Sequence, residues 1–228
     1  MEPNRFEEMR PQDLRRAIEE TPVAYIPLGT LEFHGWHMPL GFDALKAAAI
    51  CARAAERTGG VVLPPSFFGF AGGHKTYLGS IVTEEAHFEG NLRVTIARLI
   101  DMGFHVLVIL TGHYPQEQVQ SVKRIAEEVS QARRDITVLA LAEYEAYPNE
   151  TRADHAAKWE TSIGMYLMPE LVDVAQLSMQ EDPLHGIGGE DPRASASAEL
   201  GKETVDTVVN IIASLVQGSL MGRGPRTR

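Results

Sequence analysis

The sequence predicts an α/β protein with a mostly parallel sheet, built as one domain over residues 1–228. Short apolar, β-branched runs alternate with longer helical segments, which is the pattern of βαβ units. The chain has 228 residues and 44% hydrophobic content, enough to bury one full core. No internal repeat or low-complexity linker divides it, so a single domain is the simplest interpretation.

Each element is predicted from its own pattern, in chain order. An amphipathic segment opens with proline, and continuous apolar runs then alternate with helical stretches that end near glycine, aspartate or basic residues. A segment with three glycines, residues 181–197, is predicted to be a long loop, a type that is often functional. The predicted strands are Val23–Leu28, Val61–Leu63, His105–Leu110 and Ile136–Ala142, and the predicted helices are Pro11–Glu20, Ala44–Arg57, Glu84–Met102, Gln116–Arg133, Trp159–Met168 and Ala196–Gln217.

Charge and composition exclude several classes of protein. The net charge of -10 argues against nucleic-acid binding, which normally needs a basic surface. The basic end of the chain, about 219–228, is expected to be a disordered tail. Cys51 is the single cysteine, so no intramolecular disulfide can form. No secretory signal and no apolar run long enough to span a bilayer is visible, so we expect a cytoplasmic protein without a membrane partner.

The first candidate site follows the predicted strand Val23–Leu28. Glu32 and His34 are two residues apart, so in extended backbone they face the same side. Asp43 precedes the next helix and could be a helix N-cap or a metal ligand; beside Glu32 and His34 we favour a ligand. His37 is at least as easily explained as a packed histidine. Carboxylate and imidazole donors together suit a divalent ion such as zinc or manganese.

Two further segments can reach the same edge of the sheet. His113 follows the strand His105–Leu110, where a lone histidine could be structural or a ligand. Pro115 is a favourable first residue for the helix after it. Gly73 and His74 lie in a loop whose adjacent glycines permit close approach of the backbone to a ligand. On sequence alone, this loop is as easily a flexible connection.

The last segment surrounds the start of the helix near Trp159. His155 could move a proton next to a metal-bound water, and Glu160 should lie near the first turn of the helix. Alternatively, Asp154 and Glu160 simply cap the helix. The segment alone does not decide between these interpretations.

These segments resemble the creatininase (creatinine amidohydrolase) family. The family's Glu-x-His-Gly-x-His-x-Pro-x-x-x-Asp pattern is present from Glu32 to Asp43, its Gly-Gly-His loop at Gly72–His74, and its Asn-Gly-His motif at Thr111–His113 with threonine in place of asparagine. Its His-Ala-Gly-x-x-Glu-Thr-Ser motif is similar to His155–Ser162, and its Gly-Asp-Pro loop is similar to Gly186–Ser195. The resemblance covers about residues 5–217.

The resemblance implies a three-layer α/β/α sandwich and up to two divalent ions, with Zn²⁺ expected first and Mn²⁺ or Fe²⁺ as alternatives. It implies Glu32 and His113 as ligands of one ion, His34 as a ligand of the other, and Asp43 as a bridge. His155 would be the catalytic proton carrier. We expect Gly73, His74 and Tyr114 to contact the substrate, and a homo-oligomer, as a hexamer, is expected from the family.

Two departures from the family pattern leave questions open. Pro115 stands where creatininase has a metal-binding glutamate, so either Glu160 takes over or the second ion is weak or absent. The segment ahead of His155 lacks the tryptophans that close the creatininase site, which argues against creatinine as the substrate. The predicted function is metal-dependent hydrolysis of a non-peptide C–N bond in a small cyclic amide, formamide or urea-like molecule. The alternatives are a peptidase of the mycofactocin-maturation type and a non-catalytic ligand-binding paralogue.

Overall fold

A five-stranded parallel sheet forms the centre of the computed structural model, which describes residues 4–150 and 152–222. The strand order is β1-β3-β2-β4-β5, and β2 pairs with β4 along its whole length, from Val23 opposite Val106 to Leu28 opposite Thr111. The carboxyl ends of these two strands therefore lie at one edge of the sheet. The strands are β1 (Asn4–Arg5), β2 (Val23–Leu28), β3 (Val61–Val62), β4 (Val106–Thr111) and β5 (Thr137–Ala142).

Helices cover both faces of the sheet, which confirms the three-layer α/β/α class. Side chains alternate along β4, so that Val106, Val108 and Leu110 enter one core and Leu107 and Ile109 enter the other. The first core also contains residues of α2, α5 and α7, and the second contains residues of α1, α3 and α4. The helices are α1 (Pro11–Glu20), α2 (Phe42–Thr58), α3 (Glu85–Met102), α4 (Gln116–Ala132), α5 (Lys158–Leu167), α6 (Pro192–Ser195) and α7 (Ala198–Met221).

Apart from shifts of one or two residues at the ends of helices and strands, the structure differs from the sequence expectation in three places. The short strand β1 was not expected, because Asn4 and Arg5 show no apolar pattern; it is held by parallel pairing with β3. The expected loop 181–197 contains the short helix α6, which Asp191 caps. Helix α7 runs to Met221, so residues 219–221 of the expected tail are helical, while residues 223–228 lie outside the described residues.

Helix α7 is long and apolar enough, by length and composition alone, to cross a membrane. However, Val205, Val208, Val209 and Ile212 along one of its faces are buried in the core shared with α2 and α5. Those contacts explain its apolar content as that of a core helix.

The packing of α7 on α5 depends on Gly201. A Cβ atom added at Gly201 would lie 1.9 Å from the carbonyl oxygen of Ser162, so Gly201→Ala must push the two helices apart. We expect urea denaturation to show a loss of about 1–3 kcal/mol in the free energy of unfolding. Gly218→Ala on the same helix is the matched control. It meets nothing within 4 Å and should stabilise the protein by about 0.5–1 kcal/mol. Equal effects at the two glycines would contradict this packing argument.

Candidate metal centre

The site lies at the edge where β2 and β4 end. The loop after β2 carries Glu32 and His34, and the residues after β4 carry His113. Asp43 lies in the first turn of α2, and Glu160 lies in the first turn of α5. A Cβ atom at Gly112 would lie 2.2 Å from the carbonyl oxygen of Asp43, so this glycine allows β4 to meet the start of α2.

The four predicted ligands Glu32, His34, Asp43 and His113 converge with Glu160, and all five side chains are buried. The two carboxylate oxygens of Asp43 face different imidazoles: Oδ1 is 3.1 Å from Nε2 of His34, and Oδ2 is 3.1 Å from Nδ1 of His113. Glu32 Oε1 lies 3.3 Å from the same nitrogen of His113. Glu160 Oε2 lies 3.6 Å from Nε2 of His34. Asp43 is thus placed between two sets of donors.

The donor atoms form overlapping groups, each compact enough for one metal ion. Their ligand atoms lie within 4.8 Å of one another. Asp43 belongs to two groups, and His155 belongs to the third. The groups are Glu32 with Asp43 and His113, His34 with Asp43 and Glu160, and Glu32 with His34 and His155.

Each of the three histidines is oriented by a backbone carbonyl, which can only accept a hydrogen bond. His34 Nδ1 donates to the carbonyl of Glu32 at 3.0 Å, and His113 Nε2 donates to that of Phe70 at 3.2 Å. His155 Nε2 donates to the carbonyl of Phe33 at 2.8 Å. The other ring nitrogen of each histidine therefore faces the carboxylates, which is how metal-binding histidines are held.

The electrostatics of the site favour a cation. Burial alone would lower the pKa of His34, but Asp43, Glu160 and Glu32 outweigh it and raise that pKa to about 9. Burial likewise opposes charging of His113, but Asp43 and Glu32 raise its pKa to about 10. Oε2 of Glu32 is buried and has no hydrogen-bond partner. An orphaned carboxylate oxygen beside oriented imidazoles fits a divalent ion.

Filling both groups that contain Asp43 should release protons. At about pH 8, His34 and His113 hold a proton in the ion-free protein, because their pKa values lie above that pH. A ligating nitrogen must lose that proton, so we expect about two protons released when two ions bind, falling towards none above about pH 10. Apparent ion affinity should therefore rise with pH up to that point. Titration calorimetry in buffers of different ionisation enthalpy measures the number of protons released per protein chain.

His37 provides the control for proton release. Its Nε2 lies 2.8 Å from Oγ1 of Thr161, outside the three donor groups. Burial lowers its pKa to about 4, so it is already neutral at about pH 8. His37→Gln should leave the number of released protons unchanged, and an unchanged count in His113→Gln would contradict the assignment of the protons. The structure thus places His37 as a packed histidine.

A cavity of about 220 Å³ opens over the donors. Gly73, His74 and Tyr114, the expected substrate contacts, line it. The ring of His74 stacks on that of His155, with centroids 3.9 Å apart. The donors that line the cavity are Glu32, Asp43, His113, His155 and Glu160. His34 has no exposed surface and lies behind them.

A cluster of aromatic rings, formed by Phe33, Trp36, Tyr77 and His185, stands beside the cavity. Its members come from three loops: the loop after β2, the loop after β3, and the segment before α6. That last segment is also tied to the site, because Gly188 and His155 exchange two backbone hydrogen bonds of 2.8 and 3.0 Å.

Asp43 and Asp154 could each have been helix caps, and the structure shows that only Asp154 is one. Asp43 makes no capping bond: its carboxylate contacts His34 and His113 instead of backbone N–H groups. Asp154 does cap α5, because its carboxylate accepts hydrogen bonds from the backbone of Trp159 and Glu160. Pro115 is the residue before α4, one position earlier than expected.

Sequence reasoning missed Lys46 and Glu143. Lys46 lies three residues after Asp43 on α2, and its ammonium group forms a buried ion pair with Glu143. It also lies 2.7 Å from Oε1 of Glu160. The i, i+3 spacing from Asp43 places Lys46 on the same helix face, but nothing in the sequence signals Glu143, which is distant in the chain.

Comparison with known proteins identifies relatives for almost the whole chain. The family model Creatininase, described as creatinine amidohydrolase, matches residues 7–216. The creatinine amidohydrolase of Pseudomonas putida is 30% identical over 173 residues, which cover 67% of this chain and 66% of the relative. The 3-dehydro-scyllo-inosose hydrolase of Thermotoga maritima is 25% identical and covers 73% and 57%, and the mycofactocin precursor peptide peptidase of Mycobacterium ulcerans is 29% identical and covers 69% and 63%.

Solved structures show the same fold. A crystal structure of creatininase superimposes with a TM-score of 0.80 at 24% identity, covering 99% of this chain and 100% of that one. A structure described as "Creatininase Mn" has a TM-score of 0.78 at 25% identity, covering 95% and 98%. The matched segments cover less than two thirds of the length of each of these three curated relatives. With the family model matching residues 7–216, this chain belongs to the creatininase family.

Proposed function

We propose that the protein is a metal-dependent amidohydrolase that cleaves a non-peptide C–N bond in a small molecule. The observation that carries the proposal is Asp43, whose two oxygens face His34 and His113 from the centre of two donor groups. Membership of the creatininase family supports this reaction class. The geometry suits two divalent ions, one held by Glu32, Asp43 and His113 and one by His34, Asp43 and Glu160.

Divalent ions supply Lewis acidity: they activate water at neutral pH and polarise a carbonyl oxygen. The protein's own residues supply the rest. Glu32, Asp43 and Glu160 offset the ionic charge, and the backbone carbonyls of Glu32 and Phe70 fix the ring orientation of His34 and His113. We propose zinc or manganese as the native ion, because imidazole and carboxylate donors suit both.

His155 is the proposed proton carrier. Its Nε2 is occupied by the carbonyl of Phe33, so Nδ1 is the atom that can accept or give a proton. That nitrogen lies 3.4 Å from Oε1 of Glu32 and faces the donor groups. A proton taken from water there can be passed to the leaving nitrogen of an amide.

The substrate class follows from the cavity. A volume of about 220 Å³ and a lining of imidazoles, carboxylates and glycine backbone suit a small polar amide such as a lactam, formamide or urea-like compound. Tyr114 and His74 stand at its wall, where they can contact substrate oxygen or nitrogen atoms. We also propose a homo-oligomer, as the family resemblance implies, and a location in the cytoplasm.

The test is a turnover screen on metal-loaded protein. Lactams, N-formyl compounds and ureido compounds form one panel, and short peptides form the other. Metal-dependent hydrolysis in the first panel alone supports the proposal. Hydrolysis of peptides alone would favour an activity like that of the mycofactocin precursor peptide peptidases. Binding of ions without turnover in either panel would favour a non-catalytic paralogue.

A further inference from the structure

Lys46 places a buried positive charge directly behind one of the two proposed ion sites. Its side chain has no exposed surface. The ammonium group contacts Oε1 of Glu160 at 2.7 Å and forms an ion pair with Glu143. It also lies over the rings of Phe42 and Tyr114, at 5.1 and 4.7 Å from their centroids. Lys46 itself is fully buried, whereas its partners Glu160 and Tyr114 also line the cavity.

The two carboxylates that complete the ion sites differ in what already binds them. Both oxygens of Glu160 accept hydrogen bonds: Oε1 from Lys46 and, at 2.9 Å, from Tyr114, and Oε2 from the backbone N–H of Ala156 at 2.8 Å. Glu32, in contrast, has one oxygen without a hydrogen-bond partner. A cation therefore finds one free carboxylate oxygen at Glu32, whereas both oxygens of Glu160 are already hydrogen-bonded.

We propose that Lys46 makes the two ion sites unequal. The site of Glu32, Asp43 and His113 binds a divalent cation tightly, and the site of His34, Asp43 and Glu160 binds a second one more weakly. Two effects act in the same direction: Lys46 competes for the lone pairs of Glu160, and its charge repels a dication placed on the other side of that carboxylate. The inference rests on the proposed function, because it assumes that divalent ions occupy these donors.

Glu143 determines how the role of Lys46 can be tested. Removing Lys46 alone would leave Glu143 and Glu160 as buried acids without their common partner, which is strongly destabilising. Lys46→Met with Glu143→Gln removes one charge of each sign and keeps the balance of the core. Glu160 keeps its hydrogen bonds from Tyr114 and Ala156 in this variant.

The experiment is calorimetric titration of chelator-stripped protein with Mn²⁺ alone. For the wild type we expect two binding events whose Kd values differ at least about tenfold. In Lys46→Met/Glu143→Gln the weaker Kd should tighten by about tenfold or more, while the tighter one changes by less than about threefold. The matched control is Lys202→Met/Asp206→Asn, an exposed ion pair on α7, which should change neither Kd.

A second double variant keeps the test possible if Lys46→Met/Glu143→Gln does not fold. Lys46→Gln/Glu143→Gln keeps a neutral donor beside Glu160 and should also tighten the weaker site. Equal affinities in the wild type, or an unchanged weaker Kd in the folded double variants, would overturn the role of Lys46 and leave the proposed function intact. One binding event in the wild type and two in a folded double variant would support the role of Lys46. No ion binding by the wild type would instead remove the proposed function, and this inference with it.

Discussion

Asp43→Asn should abolish ion binding and reduce turnover by about a thousandfold or more, because both proposed ions share this carboxylate. Asp43 contributes one oxygen to each of two donor groups, at 3.1 Å from His34 and from His113. The asparagine amide has one oxygen and an NH₂ group that cannot ligate a cation. The measurements are metal content by mass spectrometry after gentle purification and turnover of the substrate found in the screen.

The control for this substitution is Asp13→Asn. This substitution makes the same chemical change on the exposed face of α1, where Asp13 pairs with Arg16. That variant should keep its ions and its activity. Circular dichroism of Asp43→Asn should show a folded protein. Two bound ions and full turnover in Asp43→Asn would refute the metal centre described above.

His155→Gln should lower kcat by about 10²- to 10⁴-fold, the usual contribution of a positioned acid or base. The two donor groups that contain Asp43 remain complete without His155, so ion content should change little. Glutamine can still donate to the carbonyl of Phe33, but it cannot hold and pass on a proton at the position of Nδ1. The measurements are kcat and metal content on the same preparation.

The pH dependence of kcat separates proton transfer from a structural effect. A wild-type profile controlled by His155 should lose one limb in His155→Gln. His87→Gln, on the exposed surface of α3, is the control and should leave kcat unchanged. A fall in kcat of less than about threefold, or a variant that has lost its ions, would contradict a role for His155 in proton transfer.

The sequence predicted the sheet well because its strands are continuous apolar runs in regular alternation with helices. Val23–Leu28 and Val106–Thr111 are buried along their whole length, and burial is what an apolar run predicts. The convergence of Glu32, His34 and His113 could also be predicted, since polar residues after parallel strands meet at one edge. The sequence favoured Asp43 as a ligand because Glu32 and His34 lie close by in sequence, and the family pattern agrees with that choice. The role of Glu160 stayed open, because its position fits both a ligand and a helix cap.

The remaining features depend on tertiary contacts that no local pattern carries. Lys46 stands in an apolar helix, where one lysine is normally a solvated residue; its burial depends on two acids from distant segments. The strand β1 is polar and exists through its pairing with β3. Helix α7 continues past the expected end because its last turns still pack partly against the core, through Val216 and Leu220.

The proposed ion ligands and the aromatic rings beside the cavity lie on segments that can change independently. The proposed ion ligands come from strand ends and helix starts, which the core fixes in place. The rings of Trp36, Tyr77 and His185 come from loops beside the cavity, and His185 lies in a glycine-containing segment. Gly188 joins that segment to His155 through backbone atoms alone, so side chains at 181–185 can be exchanged without changing these two hydrogen bonds. Gly186, with a φ of 70°, and Ile187, which packs against the core, are to be kept. Divergence within such a scaffold can therefore produce new substrate preferences while the proposed metal centre stays the same, and a library limited to residues 181–185 is the corresponding route for engineering.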